Sequence, residues 1–177
     1  MAFDIEQFRQ TVATVPASPA YFEFTIADPP VSLNGDKTVR DLKLLCQTTS
    51  LPGRSLGNAQ ARRNGIARVS IPYGMLDDGV VNATFIVTEG METHSFFNRW
   101  LLLSGNKDNT EQPSYLDDIA STVQIAHFTA QGEIDRKVEL RDAYPTQLSA
   151  VELDWSQTDS YIQLQIEFTY TQWFDIT

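Results

Sequence analysis

At 177 residues, 42% apolar and 20% charged, the chain has the balance of one globular domain with enough residues to bury a sizeable core. A net charge of −10 argues against a surface that binds nucleic acid by neutralising phosphates. No apolar run approaches the roughly 20 residues that span a bilayer, so membrane insertion is not expected.

The opening MAFDIEQFRQ carries acids and lacks the basic start and apolar centre of a signal peptide, which points to a chain made and kept in a cytoplasm or in something assembled there. Ile5, Phe8 and Val12 lie at helical spacing, so Asp4 to Val12 is predicted as a short amphipathic helix, ended by Pro16 and Pro19. Residues 1–20 thus form an N-terminal arm. Tyr21 to Ile26 alternates and is the first predicted strand. Asp28-Pro-Pro and Asn34-Gly35-Asp36 carry turn chemistry, and Asp41 to Thr49 is predicted to return as the second strand of an N-terminal hairpin. The single cysteine, Cys46, rules out an intrachain disulfide and a cysteine metal cage; beside Leu44 and Leu45 it reads as a buried thiol.

Periodicity is lost from Leu51 to Asn64, which predicts a long loop over 51–65. Ile66 to Pro72 and Val80 to Thr88 follow as strands joined through Gly74 to Gly79. Glu92 to Leu103 is the strongest predicted helix: Phe96, Trp100 and Leu103 fall at i, i+4 and i+7 and supply its core face, with Glu92 at the start and Gly105 past the end. After a polar segment from Asn106 to Asp118, Val123 to Ala130 and Ile134 to Leu140 flank Gln131-Gly132-Glu133 as a hairpin. Val151 to Trp155 and Tyr161 to Phe174 supply the last strands. In the second of these, Ile162, Leu164, Ile166, Phe168 and Tyr170 alternate with Gln163, Gln165, Glu167, Thr169 and Thr171, giving one dry and one wet face. About eight strands linked by local hairpins predict a mainly β chain, an antiparallel β-sandwich or partial barrel with one packed α-helix.

Catalytic chemistry is hard to place. His94 and His127 offer no paired metal face, and the glycines of the 51–65 segment match no phosphate-binding pattern. Asp77-Asp78 and Asp117-Asp118 lack calcium-loop spacing and read as solvated turns. Neither enzymatic activity nor a metal or cofactor is expected. Arg54, Arg62, Arg63 and Arg68 hold four of the chain's 13 positive charges in one short region. They suit contact with phosphates, with an acidic surface of a neighbouring copy, or with solvent alone; the acidic balance of the chain favours the neighbouring copy.

The order of Cys46-Gln-Thr-Thr-Ser-Leu-Pro-Gly, the aromatic helix, Ala143-Tyr-Pro-Thr, Leu153-Asp-Trp and a long alternating strand resembles the tail tube proteins of contractile-tailed bacteriophages, from about Tyr21 onward. The resemblance implies a single domain over 1–177 that assembles into hexameric rings. These rings stack into a hollow tube through which genomic DNA passes without specific binding. It assigns the 51–65 segment, with Arg54, Arg62, Arg63 and Arg68, to the contact between rings. Gln163, Gln165, Glu167, Thr169 and Thr171 become candidates for the lumen wall, with the outer surface as the alternative. Implied partners are further copies of the chain together with sheath, baseplate and tail terminator proteins, in a virion tail assembled in the host cytoplasm. A baseplate tube-initiator ring or a tube subunit of a contractile injection or secretion machine shares the implied fold. From different classes, a β-barrel holding a small apolar ligand and a hydrolase with a dispersed site remain alternatives.

Overall fold

The computed structural model describes residues 17–30, 33, 37–63, 67–105, 114–156 and 160–176. The predicted helix from Asp4 to Val12, the Asn34-Gly35-Asp36 turn and most of the segment after Gly105 lie outside them.

Alternation and β-branching form the first strand, β1 (Phe22–Ile26), with Phe24 and Ile26 turned to the core. The strand predicted to return beside it is instead mostly a helix, α1 (Lys37–Leu45), followed by β2 (Cys46–Thr49). Leu42 and Leu44 would share a face on a strand; here Leu42 is 1% exposed and Leu44 78%, as only a helical turn allows. No N-terminal hairpin forms: β1 pairs with β6 (Ser121–Phe128), and β2 with β5 (Val80–Ile86).

The predicted loop over 51–65 is also corrected. It forms β3 (Arg54–Arg63), paired along its length with β4 (Ala67–Asp77) as a separate two-stranded hairpin. One face of β3 is built of Gly57, Ala59 and Ala61, too small to register as an apolar period, while β4 supplies the larger partners Val69 and Ile71. The ring of Tyr73 lies over Gly57, where a Cβ would fall 2.5 Å from its Cζ, so glycine is what lets the tyrosine close over the strand.

Helix α2 (Glu92–Gly105) forms where predicted and buries Phe96, Phe97 and Trp100. Leu103 is only partly buried at its edge. Trp100 donates its indole N–H to the Ile119 carbonyl at 2.9 Å, tying α2 to the short helix α3 (Leu116–Ile119).

The predicted hairpin around Gly132 (φ +85) joins β6 to β7, which runs on to Leu148 as a 15-residue strand (Ile134–Leu148). The last ribbon is two strands, β8 (Gln163–Thr169) and β9 (Gln172–Asp175), with a corner at Tyr170 and Thr171. Dry-wet alternation runs unbroken as far as Thr171, with β-branched and aromatic residues on both sides of the corner, which is why the sequence reads as one strand. At the corner the phase slips, Thr171 and Gln172 both being exposed before the buried Trp173. Val151 to Trp155 is coil rather than strand, turned at Asp154, whose carboxylate accepts bonds from the Ser156 N–H (2.9 Å) and hydroxyl (2.8 Å).

These strands form one seven-stranded antiparallel sheet in the order β1-β6-β7-β8-β5-β2, with β9 also on β7. It folds back on itself at β7. Residues 138–141 pair with β9 and residues 144–148 with β8, and Asp142 between them has φ +54, the backbone that turns the strand from one layer to the other. The layers meet through aromatic rings: Phe24 of β1 lies 5.4 Å from Phe85 of β5 and 5.6 Å from Phe168 of β8, and Phe97 and Trp100 of α2 close over Phe168.

One polar contact ties the N-terminal strap to this frame. His127 of β6 places Nε2 2.8 Å from the Ser18 carbonyl and Nδ1 3.0 Å from the Asp135 carboxylate. Both partners are acceptors, so the doubly protonated ring satisfies both. The Ser18 carbonyl, aided by Asp135 and opposed by partial burial, raises the pKa above its usual value near 6.5. A raised value means this contribution is complete below about pH 6.5 and fades as pH climbs through the folded pKa. An NMR titration of His127 should give a midpoint above that of a free histidine, with loss of strap protection over the same window. A midpoint at or below the ordinary value would contradict the doubly donated ring.

Candidate assembly interface

Four strands form one layer in the order β2-β5-β8 and the second half of β7, residues 144–148. Its inner face is core: Val81, Ala83 and Phe85 on β5, and Leu164, Ile166 and Phe168 on β8. Strand alternation sends Asn82, Thr84, Gln163, Gln165, Glu167 and Thr169 to the other face. Asn82, Gln147, Ser149, Gln165 and Glu167 line a shallow depression there. Thr146 donates to the Glu167 carboxylate and accepts from the Thr169 hydroxyl, both at 3.3 Å. Apart from Val80 and Ile86 at the two ends of β5, the surface is amide and hydroxyl with Glu167 as its acid. Of the five predicted wet-face residues, β8 gathers Gln163, Gln165, Glu167 and Thr169. Thr171 falls outside the group, in the corner, where its N–H binds the Arg141 carbonyl of the other layer.

Both borders of this layer are open among the described residues: β2 pairs only with β5, and residues 144–148 pair only with β8. Sequence reasoning missed these edges because it had placed β2 in a hairpin with β1.

The two ends of the layer differ. The hairpin β3–β4 leaves from the end where β2 stops and β5 starts, since Thr49 lies opposite Ala83. Two aromatic side chains hold its root: Tyr170 donates to the Asp77 carboxylate, and the Arg54 guanidinium stacks 3.9 Å above Trp173. Burial, then Asp77, raises the Tyr170 pKa, so the phenol keeps its proton. The hairpin separates the predicted arginines. Arg54 stays at the root, while Arg62 and Arg68 are cross-strand neighbours with Arg63 beside them at the far end. The side chains of Arg62, Arg63 and Arg68 lie outside the described set. An apolar stripe along the hairpin (Leu56, Val69, Ile71, Tyr73 and Met75) is exposed. The alternation of Val69, Ile71, Tyr73 and Met75 was the signal that could have found it.

Little here suits chemistry. Among the described residues no cluster of histidine, cysteine and carboxylate side chains fits a metal ion, and burial pushes the Cys46 thiol up to about 12, far from a reactive thiolate. No helix among them is long and apolar enough to cross a membrane.

Comparison with known proteins agrees with this architecture. The chain is 26% identical over 149 residues to the tail tube protein of Serratia phage KSP90, covering 84% of this chain and 82% of that one. Its fold is similar to a chain of the sheath-tube complex of the PVC extracellular contractile injection system in its extended state (TM-score 0.61, 15% identity, 98% of both chains). It is also similar to a chain of the six-fold symmetrised baseplate of the anti-feeding prophage (TM-score 0.65, 15% identity, 92% of this chain and 97% of that one). The family model for phage tail tube proteins matches residues 12–175, nearly the whole chain, and with it the chain belongs to the phage tail tube protein family.

Proposed function

We propose that six copies close into a ring by pairing β2 of one subunit with residues 144–148 of the next, and that the rings stack into the inner tube of a contractile phage tail. The single observation that carries this reading is the four-strand layer with two open edges. Strand direction alternates across β2, β5, β8 and β7, so β2 and the second half of β7 run oppositely. A neighbour added in the same orientation continues the antiparallel order without a break, and closure removes both edges. Six such layers, at about 4.8 Å between strands, make a wall roughly 115 Å around and about 37 Å across before strand tilt widens it.

The polar face then lines the lumen. Glu167 repeats around each ring with no lysine or arginine on β8 beside it, a wall that repels phosphate and lets DNA slide through. The hairpin β3–β4, with its arginine-bearing end, reaches the adjacent ring. The subunit is structural rather than catalytic. It is a virion component, assembled in the host cytoplasm, with sheath outside it and baseplate and terminator proteins at its ends, as suggested by the assemblies that contain its structural neighbours.

Electron microscopy of the purified protein tests this: six-fold rings or hollow tubes are expected, and strictly monomeric particles at all concentrations would overturn it. The similarity to a baseplate chain supports a second reading, a ring that initiates the tube. Growth that stops at one ring favours the initiator, and indefinite growth the repeating subunit.

A further inference from the structure

Leu153-Asp154-Trp155 has so far no role. Strand pairing places it at the end of the layer opposite the hairpin. Residues 149–162 connect the end of β7 to the start of β8, where Leu148 lies opposite Ile166 and Gln163 opposite Ile86. Helix α1 runs into β2 at this same end, since Cys46 lies opposite Phe85. The hairpin departs from the other end. A ring built from this subunit therefore has two unlike rims.

The rim without the hairpin is unusually apolar for a solvated surface. Trp155 is 102% exposed and Leu153 78%, with Leu44 and Tyr161 also exposed nearby in the fold. A tryptophan left uncovered among the described residues is what an interface anchor looks like in a free subunit. The segments that end here, residues 87–92 and 149–156, carry Glu89, Glu92, Glu152 and Asp154, against Lys43 in the last turn of α1. The Asp154 pKa is lowered by its bonds from Ser156, which keeps that charge in place.

The hairpin matches this rim in both properties. Its stripe exposes Tyr73 at 67% and Met75 at 71%, and it bears Arg62, Arg63 and Arg68 at its far end. Ten paired residues at about 3.3 Å each make an arm roughly 33 Å long.

Resting on the stacking reading above, we infer that the hairpin β3–β4 of one copy docks on the Leu153–Trp155 rim of a copy in the next ring. Aromatic and aliphatic side chains meet along the stripe, and the arginine-bearing end of the hairpin comes to the segment that carries Glu152 and Asp154. Such a contact joins unlike surfaces head to tail, so it never closes and the tube grows with a fixed polarity.

The test uses the full chain and separates ring formation from stacking. Trp155→Ser with Leu153→Ser should still give six-fold rings, while the concentration needed for tube growth rises about tenfold or more, the scale of losing one anchor tryptophan. Circular dichroism checks that the variant is folded. Should it fail to fold, charge reversal takes its place: Glu152→Arg with Asp154→Arg blocks stacking, and adding Arg62→Glu with Arg63→Glu restores it. Tubes that grow at the wild-type concentration in the serine variant or in the first charge-reversed one overturn the docking, as does a failure of the paired reversal to rescue. Wild-type protein that forms no rings contradicts the ring reading itself, a result visible before any variant is made.

Discussion

Phe168→Ala should cost about 3–5 kcal/mol, a large share of the stability of a domain of this size. Phe168 is fully buried on β8, and its ring meets Phe24 at 5.6 Å, Phe97 at 6.0 Å and Trp100 at 6.1 Å. It is therefore the point at which the two layers and α2 converge. Truncation removes the transfer energy of the ring and leaves a cavity whose walls belong to three different elements, none of which can collapse into it without leaving the others. Chemical denaturation followed by circular dichroism measures the loss. A cost near 1 kcal/mol would mean the layers close over the gap and that β8 does not hold the core together.

Thr49→Pro should leave a folded monomer where the wild-type chain forms rings. The Ser50 N–H binds the Asn82 carbonyl on β5, so the backbone of its neighbour Thr49 faces away from β5 toward the open edge. Proline there removes a donor from the border while leaving the β2–β5 bonds intact; inside the subunit only the weak 3.4 Å bond from the Thr49 hydroxyl to Asn82 is lost. Light scattering after gel filtration reads the outcome. Rings at wild-type yield would show that β2 is not the seam between subunits.

Elements whose two faces differ in size were legible in the sequence. Helix α2 announces itself through Phe96, Phe97 and Trp100, and β8 through Leu164, Ile166 and Phe168 against glutamines and threonines. The errors share a cause, since local pattern does not show which partner a segment will find. Leu42, Leu44 and Leu45 fit a strand or a helix equally, and only the buried site beneath Leu42 decides. Gly57, Ala59 and Ala61 look like loop residues until Val69, Ile71 and Tyr73 lie across from them. The corner at Tyr170 exists because Asp77 and Arg141 wait on either side of it, contacts between residues far apart in the chain. The grouping of arginines at one end of the hairpin follows from register, which sequence alone did not supply.

The bent strand β7 has a mechanical meaning. One unbroken backbone belongs to both layers, first beside β6 and β9 and then beside β8, and the β8–β9 ribbon follows it around the same corner. In an ordinary sandwich the layers are joined by side-chain packing and loops, and a shearing load can slide one over the other. Here sliding would have to pull apart paired backbone on two adjacent strands at once. A load applied to one layer is thus carried into the other through peptide bonds and ladder hydrogen bonds, which yield far less than packed side chains do.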